Sequence, residues 1–396
     1  MLVGWAYLDN VRAGDEFARK LGSMKPTDHF EIFLATAPGL ETVLWEEVKS
    51  LRFRAAKQVP GGVTVNGNWR DAWRANLEVR GANKVLARVA VFRAFHLTDL
   101  EKRARHVPWR KVLRPDVPFH VEATCKTSKI YHSGAAAQRI ERAISDTLGA
   151  APAKDAPVVV MARIENDLCT ISVDTSGELL HKRGFKAAVA KAPMRETMAA
   201  LFLRQCGYDG KEPVVDPMCG SGTFVIEAAE IAMGLKPGRE RPFAFEQLAT
   251  FDADQWEQMR RAAASAVDKP ALRFYGSDRD AGAIDMCRTN AARAGVADLT
   301  DFKQHAISDL NPPPGPPGLV IANAPYGGRI GDKKRLEALY GAFGGTLRTR
   351  FSGWRIGLVT DDARLAKATG LPFLPTTAPV AHGGIRVTLF RTDPLP

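Results

Sequence analysis

The chain has little cysteine, and what it has follows no pairing pattern. The five cysteines in 396 residues (Cys125, Cys169, Cys206, Cys219 and Cys287) form no CxxC pair and no metal-ligand spacing. That argues against a disulfide framework and against structural zinc. His120, His132, His181 and His305 also stand outside any ligand spacing, so no metal is expected. No run of about 18 uncharged apolar residues occurs, and no transmembrane helix or membrane partner is predicted. The start, Met1 to Ser23, carries acids and lacks a basic segment followed by an apolar core, unlike a secretory signal. These absences predict a reduced, cytoplasmic protein whose residues 1–28 form an extension before the first strong strand pattern. No Ser/His/Asp triad is apparent. A G-x-G-x-x-G turn is also missing, which argues against a nicotinamide-dependent dehydrogenase.

What is present is enough apolar sequence, 45% of residues, to build the cores of two or three domains. The net charge is +11 and lies unevenly. Residues 24–192 carry 27 Lys and Arg against 18 Asp and Glu, whereas residues 193–396 carry 25 against 23. A basic N-terminal half beside a near-neutral half suggests a polyanionic partner, most simply nucleic acid.

Strand patterns at 29–36, 62–67 and 85–95 with helical patterns at 40–51 and 69–76 predict a small α+β unit. A second unit begins near Thr98. It has a helix at 100–106, a strand at 118–124, a helix at 134–148 and strands at 158–164 and 168–174 joined by the turn Glu165-Asn166-Asp167. Between its first strand and long helix lies Cys125-Lys126-Thr127-Ser128-Lys129-Ile130-Tyr131-His132-Ser133. The lysines and hydroxyls suit a phosphate backbone and the tyrosine ring suits a base, which makes Lys126, Ser128, Lys129, Tyr131 and His132 candidate RNA contacts. A solvated loop would look similar.

From Pro213 the pattern becomes strand–helix alternation. Strands are predicted at 214–216, 272–278, 299–304, 318–323, 354–360 and 385–391, and helices at 222–233, 281–294 and 334–350. This predicts an α/β class, doubly wound sheet with ligands at the carboxyl ends of its strands. Residues 239–269 read as an insertion, and the proline-rich run 311–318 as a stiff connector.

The most informative stretch is Asp216-Pro217-Met218-Cys219-Gly220-Ser221-Gly222-Thr223, a strand end, a small-residue turn and a helix start. Glycines let backbone N–H groups approach a ligand, and a helix N-terminus favours negative charge. The acid at the strand tip would repel phosphate but suits an ammonium or sulfonium. S-adenosyl-L-methionine carries both, with a carboxylate for the helix end. Cys219 lies in this cofactor turn rather than on a substrate strand, so it reads as contact or packing, not as a nucleophile. The next strand ends at Asp278, placed to receive ribose hydroxyls, with Arg279 beside it; the competing role for Asp278 is capping the helix near Ala281.

A fourth strand ends in Asn323-Ala324-Pro325-Tyr326. An exocyclic base amine has a delocalised lone pair, so a methylating site should hold its N–H groups with acceptors and its ring by stacking. The Asn323 side chain, the Ala324 carbonyl, Pro325 and the Tyr326 ring suit those roles.

These motifs resemble the THUMP-domain class I methyltransferases, most closely the bacterial large-subunit rRNA guanine-N2 enzymes. The likeness runs from Phe30 onward. Its specific segments include 128–134, His181-Lys182-Arg183-Gly184-Phe185, 192–197, 216–223, 237–238 with 243–246, and 275–278. It implies a ferredoxin-like unit at 29–97, a THUMP RNA-binding unit at 98–178 and a Rossmann-like methyltransferase domain at 179–396. It also implies S-adenosylmethionine as cofactor, rRNA or tRNA as partner, and Lys182 and Arg183 as RNA contacts. Two positions depart from the family. Ala324 stands where Asn-Pro-Pro-Tyr has its first proline, and Ala306 where an acid contacts the cofactor adenine, leaving Asp309 as the nearest candidate. These departures favour a second reading, a catalytically weak or inactive RNA-binding or ribosome-assembly protein that kept the fold.

Overall fold

The computed structural model describes residues 29–185, 194–264, 270–326 and 333–396. The 1–28 extension, the Ala192-Pro193 end of one family motif and positions 265–269 of the 239–269 segment lie outside these residues.

The N-terminal half is built on one continuous sheet. Its elements are β1 (Phe30–Ala35), α1 (Glu41–Ser50), β2 (Lys57–Val59), β3 (Gly62–Gly67), α2 (Trp69–Glu78) and β4 (Lys84–Arg93). Then come α3 (Leu97–Arg105), β5 (Phe119–Lys126), α4 (Ser133–Leu148), β6 (Val158–Glu165) and β7 (Leu168–Asp174). The seven strands run in the order β2-β3-β1-β4-β7-β6-β5. β4 is the seam, antiparallel to β1 on one side and to β7 on the other. The two units inferred from sequence thus share a sheet through one ten-residue strand. Local chemistry explains several boundaries. Asn68 and Asp71 form a reciprocal capping box that starts α2. Asn166 and Asp167 take left-handed φ values of 51° and 62°, as a tight hairpin between β6 and β7 requires.

The C-terminal half contains α5 (Glu196–Gln205), β8 (Val214–Asp216), α6 (Thr223–Ala232), α7 (Ala253–Ala264), β9 (Phe274–Asp278) and α8 (Ala281–Ala294). It continues with β10 (Thr300–Gln304), β11 (Leu319–Asn323), α9 (Lys333–Arg350), β12 (Arg355–Thr360), α10 (Ala363–Ala368), β13 (Val380–His382) and β14 (Ile385–Arg391). The order is β10-β9-β8-β11-β12-β14-β13. β8 to β12 are parallel, and β14 is antiparallel to β12. The strand order reverses between β8 and β11, so the tips of β8, β9 and β11 border the crevice where such sheets bind ligands.

The segment that reads as an insertion joins the two halves. Phe245 stacks on Trp73 of α2 at 5.6 Å between centroids and meets Trp256 of α7 edge-on at 4.9 Å. The Phe245 amide donates to the Thr175 carbonyl at 3.1 Å, and Arg241 donates to the carbonyls of Leu179 and Glu178. Among the described residues, no helix is long and apolar enough to cross a membrane.

Candidate active site

Asp216 ends β8 and is 2% exposed. Its Oδ1 accepts the Met218 amide at 3.1 Å, so the carboxylate sets the first residue of the turn. Burial pushes this carboxyl up to about 8; the Met218 hydrogen bond opposes the shift, and the neighbouring Asp278 carboxylate adds to it. A buried carboxyl that faces a second carboxylate is stabilised by a cationic ligand, which is what an ammonium or sulfonium supplies.

The glycine turn is shaped both by its backbone conformation and by side chains that anchor it. Gly220 and Gly222 adopt φ values of +54° and +84°, the left-handed region that glycine enters without a Cβ penalty. A Cβ on Gly222 would stand 3.1 Å from Cys287 Sγ. The Cys219 amide donates to the Ser277 carbonyl at 3.0 Å, and the Gly220 amide to Asp278 Oδ2 at 3.1 Å. The turn is therefore tied to the end of β9 at two points. The Asn290 side chain donates to the Ser221 carbonyl at 3.1 Å. Cys219 and Cys287 are free thiols whose sulfurs lie 3.6 Å apart, and Cys287 donates to the Gly220 carbonyl at 3.1 Å. The Cys287 contact, then burial, holds the Cys219 thiol well above its usual pKa, so it packs as a neutral thiol.

Asp278 does not cap the following helix. That role belongs to Asp280, whose Oδ1 accepts the Gly282 amide at 2.9 Å. Asp278 Oδ1 instead accepts the Asp280 amide at 3.0 Å, leaving the carboxylate at the strand tip. Arg279 is exposed, and its carbonyl accepts the Gln304 side chain. Asp309 is exposed in a short 3₁₀ turn and lines a cleft of about 290 Å³ with Tyr275, Ser277, Lys303, His305 and Pro313. Neither Asp216 nor Asp278 lines that cleft.

At the tip of β11, Asn323 is half-buried and Ala324 fully buried. Among the described residues, Asn323 Oδ1 and the Tyr326 hydroxyl are buried atoms without a partner in good hydrogen-bond geometry. Burial pushes the Tyr326 phenol up, the Asp361 carboxylate adds to the shift, and the adjacent Asn323 side chain opposes it. A buried amide oxygen of this kind can accept an N–H. The buried Asp216 and the positive-φ glycines fit S-adenosylmethionine.

The RNA candidates divide. Tyr131 is 84% exposed, and Lys126 is exposed beside Glu165. Lys129 Nζ sits 5.0 Å above the exposed ring of Phe95. Ser128 donates to the Lys126 carbonyl and accepts the Asp167 amide, shaping the loop. His132 Nδ1 accepts the Ala135 amide and caps α4. Lys182 is exposed and paired with Glu178.

Arg183 is a correction: it cannot reach RNA from this structure, being 2% exposed. Its guanidinium donates to the carbonyls of Leu180 and Arg80 and to Glu227 Oε1. With Arg80 it neutralises an acid on α6, while Arg239 pairs with Glu230. Sequence reading missed this network. Its signal was two acids, Glu227 and Glu230, inside an otherwise apolar helix, which requires buried cations.

Comparison with known families decides the identity. A model described as the RMKL-like methyltransferase domain matches residues 183–377, an RlmL ferredoxin-like domain 31–86 and a THUMP domain 95–174. The "Putative RNA methyltransferase slr0064" of Synechocystis is 31% identical over 372 residues, covering 91% of this chain and 96% of that protein. The chain belongs to the THUMP-domain class I RNA methyltransferases. Their cofactor is S-adenosylmethionine. The "Ribosomal RNA large subunit methyltransferase K/L" of Psychromonas ingrahamii is 32% identical over 352 residues, 86% of this chain but 47% of that protein. The chain therefore spans about half of that longer relative. The crystal structure of "SMU.472, a putative methyltransferase complexed with SAH" superposes with a TM-score of 0.83. It is 28% identical and covers 94% of this chain and 100% of its own.

Proposed function

We propose that this RNA methyltransferase acts on the exocyclic N2 amine of a guanine in structured RNA, with rRNA as the first substrate to test. The buried Asn323 Oδ1 at the tip of β11, without a partner in good hydrogen-bond geometry among the described residues, carries the reading. Asn323 Oδ1 and the Ala324 carbonyl accept the two N–H groups of the amine, and the Tyr326 ring stacks on the base. Asp216 and the 218–223 turn hold the methionine end of the cofactor. Asp278 holds its ribose, with Arg279 alongside, and Asp309 serves the adenine end. When bound, S-adenosylmethionine supplies an electrophilic methyl group on sulfonium. The chain's own work is positioning: it fixes the amine, exposes its lone pair and releases its proton to solvent. The exposed Tyr131, Lys126, Lys129 and Lys182 present the RNA. The likeness to an rRNA large subunit methyltransferase supports rRNA over tRNA.

Ala324 in place of the family's proline favours a second reading, a non-catalytic RNA-binding or assembly protein. One experiment separates them. Methyl transfer from labelled S-adenosylmethionine to rRNA is followed by nucleoside mass spectrometry, with Asn323→Ala in parallel. We expect N2-methylguanosine, and a loss on the order of 100-fold in the variant with cofactor affinity kept. RNA retention without any methylated nucleoside would establish the second reading. Equal incorporation by the variant would remove Asn323 from the mechanism.

A further inference from the structure

We propose that Tyr340 is a positioning residue, which holds the base-presenting segment Asn323–Tyr326 through the carbonyl of Pro325. The inference rests on the reading of the Ala324 carbonyl as an amine acceptor. Tyr340 lies on α9 and is 1% exposed. Its hydroxyl is 3.1 Å from the Pro325 carbonyl and 3.1 Å from Thr360 Oγ1.

A phenol has one proton, and a carbonyl can only accept. Tyr340 therefore donates to Pro325, and Thr360 donates to the Tyr340 oxygen. Thr360 Oγ1 in turn accepts the Asp362 amide at 3.3 Å. Three hydrogen bonds in series thus run from the tip of β12 to the loop at the tip of β11. Burial pushes the Tyr340 phenol up to about 12, so it remains a donor at neutral pH.

The geometry transmits the hold to the neighbouring residue. The ring of Pro325 locks its φ, and anchoring its carbonyl sets its ψ. Those two angles relate the Pro325 carbonyl plane to the plane carrying the Ala324 carbonyl. Ala324 precedes a proline, which confines it to extended backbone. A residue without proline's fixed φ thereby acquires a defined carbonyl direction from α9.

Filling the core is the simpler role for Tyr340, which packs among Val320, Ala322 and Phe343. Tyr340→Phe keeps that packing and removes only the hydroxyl, so it separates the two. The experiment uses the full chain and compares wild type, Tyr340→Phe, Thr360→Val, Thr360→Ser and the Tyr340→Phe/Thr360→Val double variant. It reads hydrogen exchange across residues 319–326, S-adenosylhomocysteine affinity by calorimetry, and single-turnover methyl transfer to rRNA. We expect about tenfold faster exchange and about tenfold slower transfer in Tyr340→Phe, with cofactor affinity within about twofold. The double variant should be no worse than Tyr340→Phe, because hydroxyls in series act as one unit. Thr360→Ser should restore the protection that Thr360→Val loses.

Unchanged exchange in Tyr340→Phe overturns the proposal, and so does faster exchange with an unchanged transfer rate. If the wild type methylates no RNA while Tyr340→Phe still loses protection, the clamp stands and the guanine reading fails instead.

Discussion

The Gly220 amide and the Asp278 carboxylate meet at 3.1 Å, tying the turn after β8 to the tip of β9. The other oxygen of Asp278 takes the Asp280 amide at 3.0 Å. One side chain therefore shapes two neighbouring turns before any ligand arrives, and a carboxylate with two such bonds retains lone pairs for ribose hydroxyls. Asp278→Ala should weaken S-adenosylhomocysteine binding at least about tenfold, roughly 1.4 kcal/mol, by calorimetry. Asp278→Asn, which keeps one acceptor, should fall between. Unchanged affinity in the alanine variant would end the ribose assignment.

Asp216 predicts a specific pH dependence. Burial raises its carboxyl to about 8 from 3.8, so the folded chain holds a proton that the unfolded chain has released. Between these values the folded state binds more protons, and stability of the ligand-free protein falls as pH rises. Asp216→Asn, which cannot ionise, should flatten that slope in denaturant melts taken from pH 5 to 8. A cationic ligand favours the ionised form, so binding below pH 8 should expel the proton. Titrating S-adenosylhomocysteine at pH 7 in buffers of different ionisation enthalpy should show about one proton released by wild type and none by Asp216→Asn. Equal proton release would place the ligand's ammonium elsewhere.

Arg183 and Tyr131 should fail in opposite ways. Arg183→Ala removes a buried cation from Glu227 and should destabilise the fold by about 2–4 kcal/mol. The salt dependence of its RNA binding should stay that of wild type. Tyr131→Ala exposes nothing and removes a stacking face, so RNA affinity should fall by about 1–3 kcal/mol with the melting temperature unmoved. Filter binding across a salt series, beside thermal melts, separates the two. A stable Arg183→Ala with a shallower salt slope would return that arginine to the RNA surface.

Much of this was legible because the informative signals are local. Thr223–Ala232 reads as a helix because a glycine turn precedes an apolar run interrupted only by Glu227 and Glu230. The tip residues Asp216, Asp278 and Asn323 are legible because parallel strands bring their carboxyl ends to one edge. Two of the three-residue strands, Val380–His382 and Lys57–Val59, offer little pattern and are not predicted, whereas Val214–Asp216 is marked by the glycine turn after it. The helices Glu196–Gln205 and Ala253–Ala264 were also missed. The latter lies in a segment that reads as an insertion until its aromatic rings are seen on Trp73.

Sequence alone determined the class of ligand and the order of the chemistry along the chain. Turn glycines, strand-end acids and hydrophobic periodicity act within a few residues of one another, so they survive without coordinates. Tertiary structure alone decided which charges are spent inside. Arg183 looks like an RNA contact until Arg80 and Glu227 close around it, and Tyr340 looks like core until its hydroxyl meets Pro325. Burial and hydrogen-bond partnership depend on residues brought together from distant positions, and no local pattern encodes that meeting.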